Sequence, residues 1–102
     1  MTDTSKDRFL QKHADFCFVF SNPNRLRLFY RLRSDGRATV SELEAATGIS
    51  QSTISQHLKL MRDKDIVTRE KEGVNSYYSI ADERIVAGMD LIAEVVRERH
   101  VA

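Results

Sequence analysis

Apolar positions recur along this chain with two different spacings, and the change of spacing marks out its elements. From about Ser5 to Phe20, the residues Phe9, His13, Phe16 and Phe20 fall on one helical stripe, widened by Leu10 and Cys17. Phe18 points to the far side, so this helix carries apolar surface in two directions and is expected to bury part of it against a second subunit. Asn22 and Pro23 make a stop and a new start, as N-cap and first helical residue. The second helix runs to about Ser34, offers Leu26, Phe29, Tyr30 and Leu32 to a core, and ends at Asp35-Gly36. Thr39 with Glu42 is a capping box opening a third helix, and Gly48 closes it. Ser50 caps a fourth, which reaches about Arg62. Val40, Leu43, Ala46, Ile49, Ile54, Leu58 and Met61 fall where two crossing helices would share a core.

Beyond that point the period shortens to two. Residues Asp65 to Lys71 read as a strand, Glu72-Gly73-Val74-Asn75 as a turn, and Ser76 to Ile80 as a returning strand, anchored by Val67, Tyr78 and Ile80. A fifth helix starts at Asp82-Glu83 and ends by His100, with Ile85, Met89, Ile92 and Val96 in one stripe. Gly88 beside that stripe costs about 1 kcal/mol of helix propensity and is expected where another backbone comes close. The fold predicted is mainly α with a small β-hairpin: five helices plus a two-stranded wing, a winged helix-turn-helix, in a dimer. One domain covers residues 1–102, with residues 1–20 and 82–100 as dimerisation helices, 39–62 as helix-turn-helix and 66–80 as wing.

The outer side of the fourth helix suggests the chemistry. Ser52, Gln56 and Lys59 point away from the buried Ile54, Leu58 and Met61. Hydroxyls and an amide suit base edges, and an ammonium suits a phosphate. From Ala45 to Arg62 there is no acidic residue, although the chain holds 15; a helix start kept free of acids leaves room for a phosphate. The DNA-contacting set expected is Ser50, Gln51, Ser52, Thr53, Ser55, Gln56, His57 and Lys59, joined by Arg69, Lys71 and Asn75 of the wing. The formal net charge is only +1, so any nucleic-acid footprint must be local. Such a bias exists between Arg25 and Arg37, where five arginines face one acid, and Arg25 or Arg27 is a candidate backbone contact.

Cys17 is the one cysteine, which excludes an intrachain disulfide. It reads either as a small buried hydrophobe or, with His13 four residues earlier, as a candidate sensor. In the second case it would act as a redox-active thiol or as a soft-metal ligand shared with His100 of another subunit. No apolar run reaches the ~18–20 residues of a membrane span and the N-terminus has no signal region, so a cytoplasmic protein is expected. No cofactor is expected. A Gly-rich phosphate loop, a credible metal set and a nucleophile–base pair are all missing, which argues against an enzyme. The competing reading is a winged-helix protein-interaction module without DNA-binding function.

Asn22-Pro23-Asn24-Arg25-Leu26-Arg27-Leu28, Val40-Ser41-Glu42-Leu43, Ser50-Gln51-Ser52-Thr53-Ile54-Ser55-Gln56-His57-Leu58-Lys59 and Tyr77-Tyr78 resemble, in order, the ArsR-type (arsenic repressor) winged-helix regulators. The resemblance implies a homodimer that binds an imperfect palindrome in double-stranded DNA, with repression relieved by a metal or another chemical signal. It also implies metal-sensing cysteines near Glu42-Leu43-Glu44, where this chain has none. A zinc site on the last helix would use the positions of Asp82, Arg84, Val95 and Glu98, and only two of those four residues are ligands. Neither metal site of the family is therefore expected. Val74 stands where many members carry an arginine after the wing-tip glycine.

Overall fold

In the computed structural model, which describes residues 4–101, the chain runs α1 (Thr4–Phe18), a 3₁₀ turn (Val19–Ser21), α2 (Pro23–Asp35), α3 (Val40–Thr47), α4 (Gln51–Asp63), β1 (Val67–Glu72), β2 (Asn75–Ile80) and α5 (Glu83–Val96). A π turn, Arg97–Val101, continues α5. The helix starts expected from sequence are in place. The Asn22 side chain accepts from the amides of Asn24 and Arg25. Thr39 and Glu42 bond reciprocally, at 3.1 and 2.9 Å. Gly48 closes α3 in the left-handed conformation, at φ 75°. Ser50 caps α4 through the amide of Thr53.

The core is one cluster: Val19, Leu28, Phe29, Leu32, Ala38, Leu43, Ile49, Ile54, Leu58, Met61, Ile66 and Val67. Phe20 packs edge-on to Phe29, with 5.2 Å between ring centroids. The buried stripe of α2 differs from the expected one, being Arg25, Leu28, Phe29 and Leu32 at i, i+3, i+4 and i+7, while Leu26 and Tyr30 are only half-buried. Ala46 is exposed, because the α3–α4 crossing is filled by Leu43 and Ile49 without it.

Arg25 explains why α1 stops at Phe18 rather than Phe20. The residue is only 8 % exposed. Its Nε donates to the Val19 carbonyl at 2.6 Å, and the guanidinium lies over the Phe18 ring. Ser21 Oγ donates to the Phe18 carbonyl. Side chains thus satisfy carbonyls that a continuing α-helix would have bonded, and the chain tightens into the 3₁₀ turn. A buried guanidinium held in this way is not available as the backbone contact suggested for Arg25.

The first strand begins at Val67, two residues later than expected, because Asp65 takes a left-handed conformation, φ 59°, to turn the chain out of α4. The strands pair from Val67 with Ile80 to Glu72 with Asn75. Gly73 alone of the two central turn residues has positive φ, as in a type II′ turn. A third segment joins the hairpin that the sequence did not reveal. Ala38 and Tyr78 exchange both backbone hydrogen bonds, at 3.0 and 2.8 Å, so the loop before α3 is a one-residue edge of the sheet.

Neither α1 nor α5 buries any residue completely. Phe16, Phe20, Ile85 and Met89 pack on the core from one side. Phe9, at 62 % exposure, and Ile92, at 56 %, lie bare. Asp82 caps α5, and the Arg84 guanidinium and amide beside it hold its carboxyl down to about 2.

Two expected outcomes test this account of stability. By urea unfolding, Thr39→Ala should cost about 1 kcal/mol and Leu43→Ala roughly 2–5 kcal/mol; equal losses would contradict the separation of cap from core. His57 is half-buried on the flank of α4, and burial, then the charge of Arg25, lowers its pKa below the ordinary 6.5. The unfolded chain then binds the proton more readily, so stability should be complete above pH 6.5 and fall as pH drops below that value. His57→Gln should remove that slope in unfolding measured from about pH 5.5 to about pH 7.5, roughly a unit either side of the ordinary histidine value.

Candidate nucleic-acid interface

Burial of Ile54, Leu58 and Met61 turns the other side of α4 to solvent. Ser52, Ser55, Gln56 and Lys59 are all exposed there. Ser55, Gln56 and Lys59 make no side-chain hydrogen bond or ion pair among the described residues, and Ser52 only approaches Ser50, at 3.5 Å. The amide, the Ser55 hydroxyl and the ammonium remain free to meet a ligand, and the Ser52 hydroxyl is engaged only by that one long contact. Four other expected contacts have work within the subunit. Ser50 donates to Thr53 Oγ1 at 3.0 Å while capping the helix, and Thr53 is half-buried. The Gln51 amide donates to Glu44 at 3.0 Å and to Ser41 at 3.4 Å, bracing α4 against α3. His57 packs on the flank described above. Because Gln51 engages Glu44, the acid nearest the start of α4 is occupied.

The hairpin has two chemically different faces. Alternation along β1 puts Arg69 and Lys71 on the face that carries Val67, Tyr78 and Ile80, and puts Glu70 and Glu72 on the opposite one. Arg69 and Lys71 are exposed and unpaired among the described residues. Asn75 closes the turn opposite Glu72, and Val74 at the tip is 96 % exposed. The tip itself therefore offers an aliphatic group, with the cations set one step back.

The arginine-rich stretch is not the open basic patch that its composition suggests. Beyond the buried Arg25, Arg27 donates to Asn24, Arg31 pairs with Asp35, Arg33 with Asp90 and Arg37 with Glu72. The Arg37 fork keeps the Glu72 carboxyl below the usual carboxylate range, and Glu72 in turn raises Arg37. Free positive charge lies instead on Lys59, Arg69 and Lys71, together with two residues that sequence reasoning passed over, Arg62 and Lys64. Arg62 is three residues from Lys59 and so shares its side of α4; that spacing could have found it.

Away from this surface, α1, α2 and α5 enclose an open, mainly apolar groove of about 950 Å³ lined by Phe16, Phe20, Tyr30, Ile85, Met89 and Ile92. His13 and Cys17 stand at its edge, both exposed, so Cys17 is not the buried hydrophobe of the alternative reading within one subunit. Gly88 lines the same groove with nothing within 4 Å of a built Cβ. At the position expected for a last-helix zinc site, Asp82 receives a 2.7 Å bond from Arg84. No group of three potential metal-ligating residues occurs among the described residues, and none of their helices is long and apolar enough to cross a membrane.

Comparison with known proteins agrees with this architecture. The family model for bacterial regulatory proteins of the arsR family matches residues 22–69, from the N-cap of α2 into β1. The arsenical resistance operon repressor of Bacillus subtilis is 31% identical over 83 residues, which is 81% of this chain and 79% of that protein. Among solved structures, a homodimeric winged helix-turn-helix DNA-binding domain from Mycobacterium bovis superposes with a TM-score of 0.83 at 27% identity, covering 100% of this chain and 93% of that one. NolR from Sinorhizobium fredii superposes with a TM-score of 0.81 at 25% identity, covering 93% and 94%. A helix-turn-helix whose α4 has an exposed polar face, a hairpin wing behind it and relatives of this kind place the chain in the ArsR family of bacterial regulatory proteins, as a winged helix-turn-helix transcriptional regulator and not an enzyme.

Proposed function

We propose that the protein is a homodimeric repressor whose two α4 helices enter successive major grooves of a palindromic operator, ~34 Å apart. The observation that carries this reading is the exposed side of α4, with Ser52 exposed, Ser55, Gln56 and Lys59 exposed and unpaired among the described residues, and no acid from Ala45 to Arg62. Gln56 reads a base edge, for which a bidentate amide contact discriminates by about 1–3 kcal/mol. Lys59, Arg62, Arg69 and Lys71 bind phosphates and set register. Ser50, Gln51, Thr53 and His57 position the helix, and Asn75 shapes the wing tip.

The dimer forms through α1 and α5, where a second copy covers Phe9, Leu91, Ile92 and Val96, all exposed in one subunit. The M. bovis domain is a homodimer, and it resembles this chain over its full length. His13 and Cys17 stand at the edge of the same groove, so a chemical signal that modified the thiol would act on the subunit contact and only through it on DNA. The protein acts in the cytoplasm, on promoter DNA. The alternative, a protein-interaction module, leaves the absence of acids from Ala45 to Arg62 without a specific reason.

Selection of duplexes from a randomised pool, followed by fluorescence anisotropy over a salt series, tests these roles. Gln56→Ala should relax base preference, while Lys59→Ala should weaken all sequences alike and lower the salt slope by about 1. Identical behaviour of the two variants would refute the division between reading and gripping. Ile92→Glu should give monomers in sedimentation and loss of operator binding; a dimer that persisted would place the interface elsewhere. If Cys17 is the sensor, oxidant should release wild type from DNA and leave Cys17→Ser bound, whereas equal responses would discard the thiol.

A further inference from the structure

Arg37 sits in the loop between α2 and α3, beside Ala38, whose backbone pairs with Tyr78. Strand alternation places Tyr77 and Glu72 on the hairpin face turned away from the core. Across that face the Arg37 guanidinium lies 4.0 Å from the Tyr77 ring centroid. It also forks the Glu72 carboxylate, with Nη1 to Oε1 at 3.0 Å and Nη2 to Oε2 at 3.3 Å. One side chain therefore links the loop before α3 to the middle of β2 and to the last residue of β1 before the turn. Every residue from Thr68 to Asn75 is exposed, whereas Ser76 to Ile80 of β2 are half-buried and Tyr78 is bonded to Ala38, so packing holds β2 and leaves the outer part of β1 and the turn to be held by other contacts. A two-stranded hairpin is marginal on its own, and an exposed ion pair adds little to global stability. A planar fork stacked on a ring nevertheless restricts orientation, which a flexible ammonium does not.

We propose that Arg37 is a positioning residue of the DNA-binding surface: through Glu72 and Tyr77 it latches the outer hairpin at a fixed angle to α4, and so sets where Arg69 and Lys71 meet the phosphates. Arg37 itself touches no DNA. The latch rests on the reading of α4 and the wing as a DNA surface.

The experiment uses the full chain and a labelled duplex that the wild type selects from a randomised pool. Affinity is measured over a salt series, alongside thermal unfolding. Arg37→Ala should weaken binding roughly ten-fold, because the supporting residue of a site sets its precision, with an unchanged salt slope and a nearly unchanged Tm. Arg37→Lys keeps the charge but cannot fork or stack, and should not restore affinity. Glu72→Ala removes an acid yet should weaken binding about three-fold, because it opens the same latch. The double variant should be no weaker than Arg37→Ala alone. Tighter binding by Glu72→Ala, or a salt slope lowered by about 1 in Arg37→Ala, would mean that Arg37 grips a phosphate directly and would overturn the latch. Wild-type affinity in Arg37→Ala and Glu72→Ala would also overturn it while leaving the DNA reading intact. A wild type that selects no duplex overturns both.

Discussion

Ile54, Leu58 and Met61 are each fully buried, and a helix with 3.6 residues per turn that commits those three positions to a core has only its other side left to offer. The face of α4 is thus chosen by packing before any ligand is considered. Caps at Asn22, Thr39 and Ser50 set where the helices begin, and Leu28, Phe29 and Leu43 supply the surface on which α4 lies. The wing depends on the same burial, since Ile66 and Val67 extend the core directly from the end of α4.

Charge is distributed by pairing rather than by composition. The stretch richest in arginine presents less free charge than its composition suggests, because three of its five guanidiniums pair with carboxylates and Arg25 is buried against a backbone carbonyl, which leaves Arg27 charged and exposed beside the neutral Asn24 amide. Such exposed pairs contribute little to stability. They do neutralise Arg31, Arg33 and Arg37, while Lys59, Arg62, Lys64, Arg69 and Lys71 are among the described cations with no acidic partner in the subunit. A chain with a formal charge of +1 can in this way present a one-sided positive surface.

Local chemistry was legible in the sequence, and remote chemistry was not. Caps, the glycine closing α3 and the turn at Gly73 depend on residues a few places apart, and they could be read from spacing alone. The hydrophobic periods located all five helices and the hairpin. Arg25 was misread because its acceptors arise only when the chain folds back at residues 19–21, which no period announces. Ala46 was assigned to the core because helical spacing cannot tell which of several apolar residues the crossing point will reach. The Ala38–Tyr78 pairing joins residues forty apart and leaves no local trace. On the candidate interface, the exposure of Ser52, Ser55, Gln56 and Lys59 was legible, but the internal duties of Gln51 and Thr53 were not, since polar side chains look alike until their partners are in place.

The Ala38–Tyr78 pairing ties the wing to the very loop that launches α3. Side chains alternate along a paired strand, so one residue inserted between Gly36 and Arg37 would turn Ala38 outward and bring Arg37 to the inward position opposite Tyr78. Chain length in this loop is consequently as constrained as residue identity. Insertions that neighbouring surface loops could absorb would here shift the hairpin and the helix-turn-helix out of step with each other.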